Sequence, residues 1–354
     1  MLSILTGPKT AAPARSESAL ALLDDLCGSC VVLAVCRTAR LGRLSTDFED
    51  VVTIGRLGIQ TCSRGSGKPL LLINGLGANL TMWEPLQKHL GTTRVVSFDL
   101  PGVGRSTTPL VPMSIRGLAK VAVGVLDELE LERVDVLGYS LGGMVAQELA
   151  LVAPERVGRL VLAATFCGLG AVPGSLVARL VLSSSFRNRS RLFFERTHAL
   201  TVGGPGLSAE EIRNLFERRS RHAPNPIGYI WQMFAAATWT TLGRLRKIAS
   251  PTLVVCGDDD PLVPLANGVM LAHDIPNGRL YVSAGDGHLL LLEQRSSAPQ
   301  AVADFLTAGD LEDSAVWRGA RHPSKAARDE ALARTPFPLD PHALLGAMFR
   351  KVVA

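Results

Sequence analysis

Ser140 stands in a Gly-x-Ser-x-Gly pattern, Gly138-Tyr-Ser-Leu-Gly142, whose residue types could supply a nucleophile. An apolar strand-like run, 134–137, precedes the pattern, and an apolar helical run, 144–151, follows it. A tight turn between strand and helix needs small residues two positions before and after the serine, because larger side chains would meet the backbone. The spacing predicts that Ser140 attacks a carbonyl carbon while the N–H of Leu141, at the helix start, faces the oxyanion.

A serine hydroxyl is a weak nucleophile at neutral pH, so it needs a base nearby. Of the seven histidines, only His288 lies in a glycine-bracketed loop, Ala284-Gly-Asp-Gly-His288, between a strand-like run and an apolar helical run. We therefore expect His288 to be the base. For the other six we expect structural or solvent-facing roles: His89, His198, His222, His273, His322 and His342.

The base in turn needs an acid that fixes its tautomer, and in this chain order the acid lies between the serine and the histidine. Asp258, Asp259 and Asp260 follow the strand-like run 252–256, so all three leave the carboxyl end of a sheet. Prolines at 261 and 264 fix the loop behind Asp260 and favour it as the partner of His288. The alternative is a hard cation on the three carboxylates, but such a site needs further oxygen ligands, and we expect no metal.

Two glycine-containing loops precede the serine. The first, Asn74-Gly-Leu-Gly77, follows a strand-like run, and we expect the N–H of Leu76 to be the second oxyanion donor. An ordinary glycine turn is the alternative. The second, Asp99-Leu-Pro-Gly-Val-Gly-Arg-Ser106, lacks the Lys-Ser/Thr of a phosphate-binding loop, so we interpret it as a structural turn beside the site.

The elements that position these residues alternate between short apolar strands and amphipathic segments, which is typical of an α/β fold with a largely parallel sheet. A first strand pattern spans 51–62, and almost ninety residues of helical character, including Trp231 and Trp239, separate the fourth of the later strands from the fifth. We interpret that stretch as an inserted helical cap. The six later strand runs are 70–73, 94–98, 134–137, 160–163, 252–256 and 279–282.

The composition of the 354 residues, with 47% hydrophobic and 19% charged, excludes a disordered chain and a coiled coil. The net charge is +5, and residues 315–354 hold seven Lys or Arg against three acids, so the rest is nearly neutral and we expect no nucleic-acid binding. Six sparse cysteines predict buried thiols rather than disulfides or zinc, even at the Cys27-Gly-Ser-Cys30 spacing. No run is long enough for a transmembrane segment, so we expect a cytoplasmic protein.

These motifs together resemble the α/β-hydrolase family over residues 51–307. The runs Asn225-Pro-Ile-Gly-Tyr-Ile-Trp-Gln-Met-Phe234, Trp239-Thr-Thr-Leu and Ile248-Ala-Ser-Pro-Thr-Leu-Val254 further resemble the intracellular depolymerases of medium-chain-length polyhydroxyalkanoates. Leu141 departs from that family, in which a tryptophan follows the nucleophile. The resemblance implies an α/β-hydrolase fold, and it does not extend to the two ends of the chain. Together with the composition along the chain, it predicts five divisions: an extension (1–46), a core in two parts (47–164 and 248–308), a helical cap (165–247) and a basic tail (309–354).

The resemblance implies hydrolysis of hydroxyacyl esters through an acyl-enzyme, with no cofactor and an ester or polyester as the partner. Trp231, Phe234 and Trp239 fall at i, i+3 and i+8, so they either pack as one apolar face or line an acyl pocket. A carboxylesterase, lactonase or other capped hydrolase is the alternative, and an inactive binding protein is a further one. For the tail we expect a solvated extension, with attachment to a polymer granule as the alternative. The sequence leaves the oligomeric state open.

Overall fold

The computed structural model describes residues 47–334, and a single eight-stranded sheet runs through them. From one edge of the sheet to the other, the strands lie in the order 1-2-4-3-5-6-7-8, where each number is the position of the strand along the chain. The strands are β1 (Phe48–Ile54), β2 (Leu57–Arg64), β3 (Pro69–Ile73), β4 (Arg94–Phe98), β5 (Val134–Tyr139), β6 (Val157–Ala163), β7 (Thr252–Gly257) and β8 (Gly278–Ser283).

All six later strand runs are strands, so the expected α/β class is confirmed. The strands from β3 to β8 pair in parallel, while β2 joins β4 antiparallel. Every residue of β5 is buried, because helices cover both faces of the parallel part. The carboxyl ends of these strands therefore meet at one edge, where the chain leaves the sheet in loops.

The first strand pattern, 51–62, is a hairpin rather than one strand. Strand β1 pairs antiparallel with β2, and Ile54 faces Leu57 across a two-residue turn. Gly55 begins this turn with a φ of 61°, a conformation that suits a residue without a Cβ. Ile54 and Leu57 flank the turn with apolar side chains, so the turn is easily overlooked in the sequence.

Eleven α-helices accompany the sheet within the described residues, and four of them lie between β6 and β7. They are α1 (Glu84–Gln87), α2 (Ile115–Glu128), α3 (Leu141–Val152), α4 (Leu176–Ser183), α5 (Arg191–Val202), α6 (Ala209–Arg221), α7 (Pro226–Ala237), α8 (Leu265–Asp274), α9 (Ala298–Thr307), α10 (Ala315–Gly319) and α11 (Lys325–Ala333).

The sheet has an apolar core on each face. Helices α2 and α3 pack on one face, and α9 with Trp83 and Trp317 packs on the other. The four helices α4 to α7 form the cap. At one contact between the cap and the core, the backbones of two glycines approach closely. A Cβ on Gly102 would lie 2.5 Å from the Cα of Gly228 in α7.

The beginning of the carboxy-terminal tail packs on the core rather than forming the solvated extension expected from its charge. Trp317 is 5% exposed, stacks on Phe305 at 5.2 Å, and lies under the guanidinium of Arg279 at 4.4 Å. Arg321 pairs with Leu280 of β8 in an antiparallel bridge. Burial of this aromatic ring favours packing of the segment on the core, although the sequence around it is basic. Residues 1–46 and 335–354 lie outside the described residues.

The cysteines that the structure describes, Cys62, Cys167 and Cys256, are buried thiols, as expected. Burial first, and then the charge of Asp260, raises the pKa of the Cys256 thiol to about 12. Such a thiol is a packing group rather than a nucleophile. Cys27, Cys30 and Cys36 fall outside the described part. Between residues 47 and 334, none of the helices has the length and apolar character to cross a bilayer.

Candidate active site

Ser140 occupies a tight turn between β5 and α3. Its φ of 54° and ψ of −118° are unusual for a residue with a side chain. A Cβ on Gly138 would collide with the carbonyl oxygen of Gly142, and one on Gly142 would collide with that of Ile73. The two glycines of the motif are therefore required sterically. The turn holds the serine hydroxyl at the edge where the parallel strands end.

His288 lies beside this turn and contacts both of its expected partners. Its Nε2 is 3.2 Å from Oγ of Ser140, and its Nδ1 is 2.8 Å from Oδ2 of Asp260. Asp260 and His288 are 7% and 8% exposed. With Nδ1–H donating to the carboxylate, Nε2 is left to accept the serine proton. The structure thus brings together the three residues that the sequence singled out, in an arrangement suited to nucleophilic attack.

Backbone contacts fix the two loops that carry His288 and Asp260. The N–H of His288 donates to the carbonyl of Val202 at the end of α5, and its carbonyl accepts the Tyr139 hydroxyl at 2.8 Å. Oδ1 of Asp260 accepts two N–H groups, from Leu262 at 2.8 Å and from Val263 at 2.9 Å. One carboxylate oxygen is thereby occupied by its own loop, and the other remains for the imidazole.

Asp258 and Asp259 have different partners, and both are exposed. Oδ1 of Asp258 accepts the N–H of Gly285 at 2.6 Å, and Oδ2 of Asp259 accepts the N–H of Gly204 at 2.8 Å. Both carboxylates thus tie loops together instead of facing a shared point. Across the described chain, no group of three or more His, Cys, Asp or Glu side chains is placed to hold a metal ion.

Leu76 and Leu141, the expected oxyanion donors, both border the cavity at Ser140. Leu141 is the first residue of α3, where helix N–H groups have no partner within the helix. The loop before Leu76 runs against the turn, since a Cβ on Gly75 would lie 3.2 Å from that of Ser140. The backbone of both candidates is therefore close to where a substrate carbonyl oxygen would lie.

Gln232, which the sequence reasoning did not single out, holds the Leu76 loop in place. It is 2% exposed in α7 of the cap. Its Oε1 accepts the N–H of Gly77 at 3.0 Å, and its Nε2 donates to the carbonyl of Pro101 at 3.2 Å. The signal was present in the Gly228-Tyr-Ile-Trp-Gln232 run, where the glutamine and Tyr229 are the buried polar members.

An apolar cavity of ≈ 420 Å³ opens at Ser140 and His288 beneath the cap. Helix α7 contributes Met233, Ala236 and Ala237 to its wall, and α4 contributes Leu182. Pockets of this size and polarity suit aliphatic or aromatic ligands. The remaining apolar side chains in its wall include Met144, Phe166, Val172, Leu262 and Val263.

Trp231, Phe234 and Trp239, expected either to pack or to line this cavity, do not line it. Phe234 is 53% exposed, Trp231 donates from its ring nitrogen to the carbonyl of Pro109, and Trp239 is buried and donates to Glu148. Their supposed common face breaks because α7 ends at Ala237, before Trp239. The cavity-facing side of the helix carries Met233 and Ala236 instead.

Asp99 is a deeply buried carboxylate in the loop 99–106. It is 2% exposed, and this burial raises its pKa to about 7. It accepts the N–H of Leu80 at 2.7 Å, and Ser106 donates to its backbone carbonyl. The loop therefore acts as a structural turn, as expected, and packs against the cap through Gly102.

Two curated relatives resemble the chain over most of their length. A poly(3-hydroxyalkanoate) depolymerase of Ectopseudomonas oleovorans is 39% identical over 244 residues, which is 67% of this chain and 84% of that protein. A 2-hydroxy-6-oxononadienedioate/2-hydroxy-6-oxononatrienedioate hydrolase of Cupriavidus pinatubonensis is 31% identical over 259 residues, 68% of this chain and 88% of that protein.

The fold is shared with solved hydrolases. The crystal structure of a hydrolase from Pseudomonas aeruginosa PA01 matches with a TM-score of 0.64 and 28% identity, covering 73% of this chain and 98% of that one. Residues 68–294 match the family model of the alpha/beta hydrolase fold, a range that includes the serine turn, the cap and the histidine loop. With this match and the mostly parallel sheet, the chain belongs to the α/β-hydrolase family.

Proposed function

We propose that the protein is a serine ester hydrolase that acts through an acyl-enzyme on hydroxyacyl esters, with poly(3-hydroxyalkanoate) as the substrate class. One observation carries the proposal: hydrogen-bonding distances connect Ser140, His288 and Asp260 at the mouth of an apolar cavity. A cytoplasmic location, expected from the sparse cysteines, is part of the same proposal.

The first half of the reaction forms the acyl-enzyme. Oγ of Ser140 attacks the ester carbonyl carbon as Nε2 of His288 takes its proton, and Asp260 stabilises the imidazolium. The N–H groups of Leu76 and Leu141 donate to the oxyanion of the tetrahedral intermediate. When the intermediate collapses, the bond to the alcohol oxygen breaks, and His288 gives that oxygen the proton.

The second half consumes water. His288 takes a proton from a water molecule, whose oxygen attacks the acyl carbon and forms a second oxyanion at the same two N–H groups. Collapse breaks the bond to Oγ of Ser140, which recovers the proton from His288. The acid leaves, and each residue returns to its starting state. No step requires a cofactor.

The apolar cavity and the comparisons support hydroxyacyl esters with aliphatic side chains. Burying a methylene group yields about 0.8 kcal/mol, so a cavity of ≈ 420 Å³ favours medium chains over acetyl groups. The 39% identical relative is a poly(3-hydroxyalkanoate) depolymerase. A general esterase or lactonase would have the same residues at the serine, and substrate tests separate them.

Exposed apolar side chains on two helices of the cap support action on a water-insoluble polymer. Six apolar side chains of α4 and α7 are more than half exposed, an unusual concentration for a soluble surface. In α7 they follow helical spacing at i, i+3 and i+7. They are Leu176, Val177, Leu180, Ile227, Ile230 and Phe234.

The test compares three substrates with purified protein: a short-chain aryl ester, a medium-chain aryl ester and an emulsified medium-chain polyester. We expect hydrolysis of the medium-chain ester and release of hydroxy acids from the polymer. Hydrolysis of soluble esters alone would indicate a general esterase, and no hydrolysis of any ester would contradict the proposal. The double variant Ile230→Glu/Phe234→Glu should lose polymer hydrolysis while retaining soluble ester hydrolysis, because both positions lie outside the cavity.

The tail adds a separate test of granule attachment. We propose that residues 335–354, which contain Arg350 and Lys351 among apolar residues, attach the enzyme to polymer granules. A chain ending at Arg334 retains the packed part of the tail, so its soluble ester hydrolysis should equal that of the full chain while granule binding falls. Equal granule binding by the two proteins would contradict attachment by this segment.

A further inference from the structure

A second cavity, of ≈ 40 Å³, also reaches Ser140 and His288. It shares Leu76 with the apolar cavity but is bounded in addition by two arginines, Arg187 and Arg219. About 10–15 Å³ suffices for one water molecule, so this space can hold a few heavy atoms, such as a carboxylate group. The residues at the serine therefore face two cavities. The larger one has mostly apolar walls and includes Arg179, and the smaller, basic one is bounded by Arg187 and Arg219.

The two arginines are buried without a counter-charge. Each is 8% exposed, and neither makes an ion pair with a carboxylate of residues 47–334. The Nε of Arg187, the Nε of Arg219 and the Nδ2 of Asn188 are buried with no hydrogen-bond partner. Buried charged groups normally have a paired charge and complete hydrogen bonding. Two buried arginines with unused donors at one small cavity thus point to an anionic ligand.

The contacts that the arginines do make leave most of their donors free. Nη2 of Arg219 donates to Oδ1 of Asn188 at 2.9 Å and lies 3.5 Å from the carbonyl oxygen of Leu76. The guanidinium of Arg187 lies beside the Tyr229 hydroxyl. Burial, and then the charge of Arg187, lowers the pKa of Arg219 to about 10. A group with this pKa remains charged at neutral pH, and a bound anion would offset the repulsion that lowers it.

We propose that Arg187 and Arg219 bind the free carboxylate of the leaving 3-hydroxy acid, so that the enzyme cleaves the last ester bond at the carboxyl end of a chain. This inference rests on the proposed ester hydrolysis. In a 3-hydroxy acid the carboxylate lies close to the hydroxyl oxygen that forms the ester. With the acyl part in the apolar cavity, that carboxylate would fall beside the serine, where the basic cavity lies. Arginine is suited to a planar carboxylate through paired N–H donors.

The bound carboxylate takes no part in the chemical step. Oγ of Ser140 forms a bond to the penultimate carbonyl carbon, and the bond from that carbon to the terminal unit's oxygen breaks. His288 transfers the proton taken from Ser140 to this oxygen. The product is one 3-hydroxy acid anion, whose carboxylate has kept its charge in the arginine subsite, and the shortened chain remains on Ser140 until water releases it.

The test uses the linear dimer of 3-hydroxyoctanoate with a free carboxylate, and the methyl ester of the same dimer. In the parent protein we expect kcat/KM for the free acid to exceed that for the methyl ester at least ~10-fold. In Arg187→Gln and Arg219→Gln this ratio should fall toward one, since hydrogen bonds to a charged group are lost. The control Arg191→Gln removes an exposed cap arginine paired with Glu195 and should keep the parent ratio.

Two results would overturn the subsite: a parent that cleaves the methyl ester as well as the free acid, or variants that lower both rates equally. The second would indicate that Arg219 only positions the Leu76 loop through its carbonyl. If the glutamine variants do not fold, calorimetry on Ser140→Ala replaces them, comparing 3-hydroxyoctanoate with its methyl ester. Tighter binding of the anion supports the subsite and equal binding refutes it. Failure of the parent to cleave either dimer would instead contradict the proposed ester hydrolysis.

Discussion

The wall of the apolar cavity offers a direct test of where the acyl chain binds. Ala236 lies in the cavity wall on α7, whereas Ile230, on the same helix, is 55% exposed and lies outside the cavity. In Ala236→Phe the new ring should occupy space that the far end of a medium-length acyl chain would otherwise use. If it displaces three methylene groups at ~0.8 kcal/mol each, the loss is ~2.4 kcal/mol, or ~60-fold in kcat/KM.

The assay measures kcat/KM for p-nitrophenyl octanoate and p-nitrophenyl butyrate. Ala236→Phe should lose about 60-fold on octanoate and little on butyrate, whose chain ends before the new ring. The control Ile230→Phe should match the parent on both. An equal loss on both esters would show that the ring distorts the site, and an unchanged octanoate rate would place the acyl chain elsewhere. Either result would refute the assignment of this cavity.

Three further predictions concern carboxylates and the packed tail. Asp260→Asn should lower kcat about 10⁴-fold, as the wrong histidine tautomer does in a serine protease. Asp258→Asn and Asp259→Asn should lower kcat less than about 10-fold, because these two carboxylates only hold loops together. A larger loss in Asp259→Asn than in Asp260→Asn would show that the acid is misassigned. Trp317→Ala should lower the free energy of unfolding in urea by about 3–5 kcal/mol, and a loss below 1 kcal/mol would mean that the tail does not support the core. Burial raises the pKa of Asp99 from 3.8 to about 7, so its contribution to the free energy of unfolding is complete below pH 3.8 and is lost as the pH rises through 7. The free energy of unfolding of the parent should therefore fall between about pH 5 and pH 8, and in Asp99→Asn this fall should be smaller by ~2 kcal/mol. Parallel curves for the two proteins would contradict this assignment.

The strands and the serine turn could be predicted from the sequence because their signals are local. An apolar run followed by Gly138-Tyr-Ser-Leu-Gly142 specifies both the strand end and the steric need for glycine, and the structure has both. The proximity of Asp260 and His288 follows from topology, since β7 and β8 are parallel neighbours whose carboxyl ends meet. The positions of Asp260 and His288 directly after two neighbouring parallel strands were therefore enough to predict that they lie close together.

The cap and the tail could not be predicted in the same way, because their side chains are placed by contacts distant in sequence. Trp239 seemed to continue the face of Trp231, but the end of α7 and the bond to Glu148 turn it into the core. Trp317 is buried by Phe305 and Arg279, neither of which is near it in sequence. Arg187 and Arg219 likewise come together only when the segments of the cap fold. In the sequence they are two of many basic residues, and nothing near either of them indicates that they meet.

The measurement that tests the account most directly is active-site labelling with a fluorophosphonate, read by mass spectrometry of the digested protein. The reagent forms a covalent bond with a serine activated as Ser140 is here, at 3.2 Å from Nε2 of His288. We predict phosphonylation of the peptide that contains Ser140, in parallel with loss of ester hydrolysis, and neither label nor activity in a Ser140→Ala protein with an unchanged melting temperature. A label on another residue, or ester hydrolysis by Ser140→Ala at the parent rate, would contradict the account.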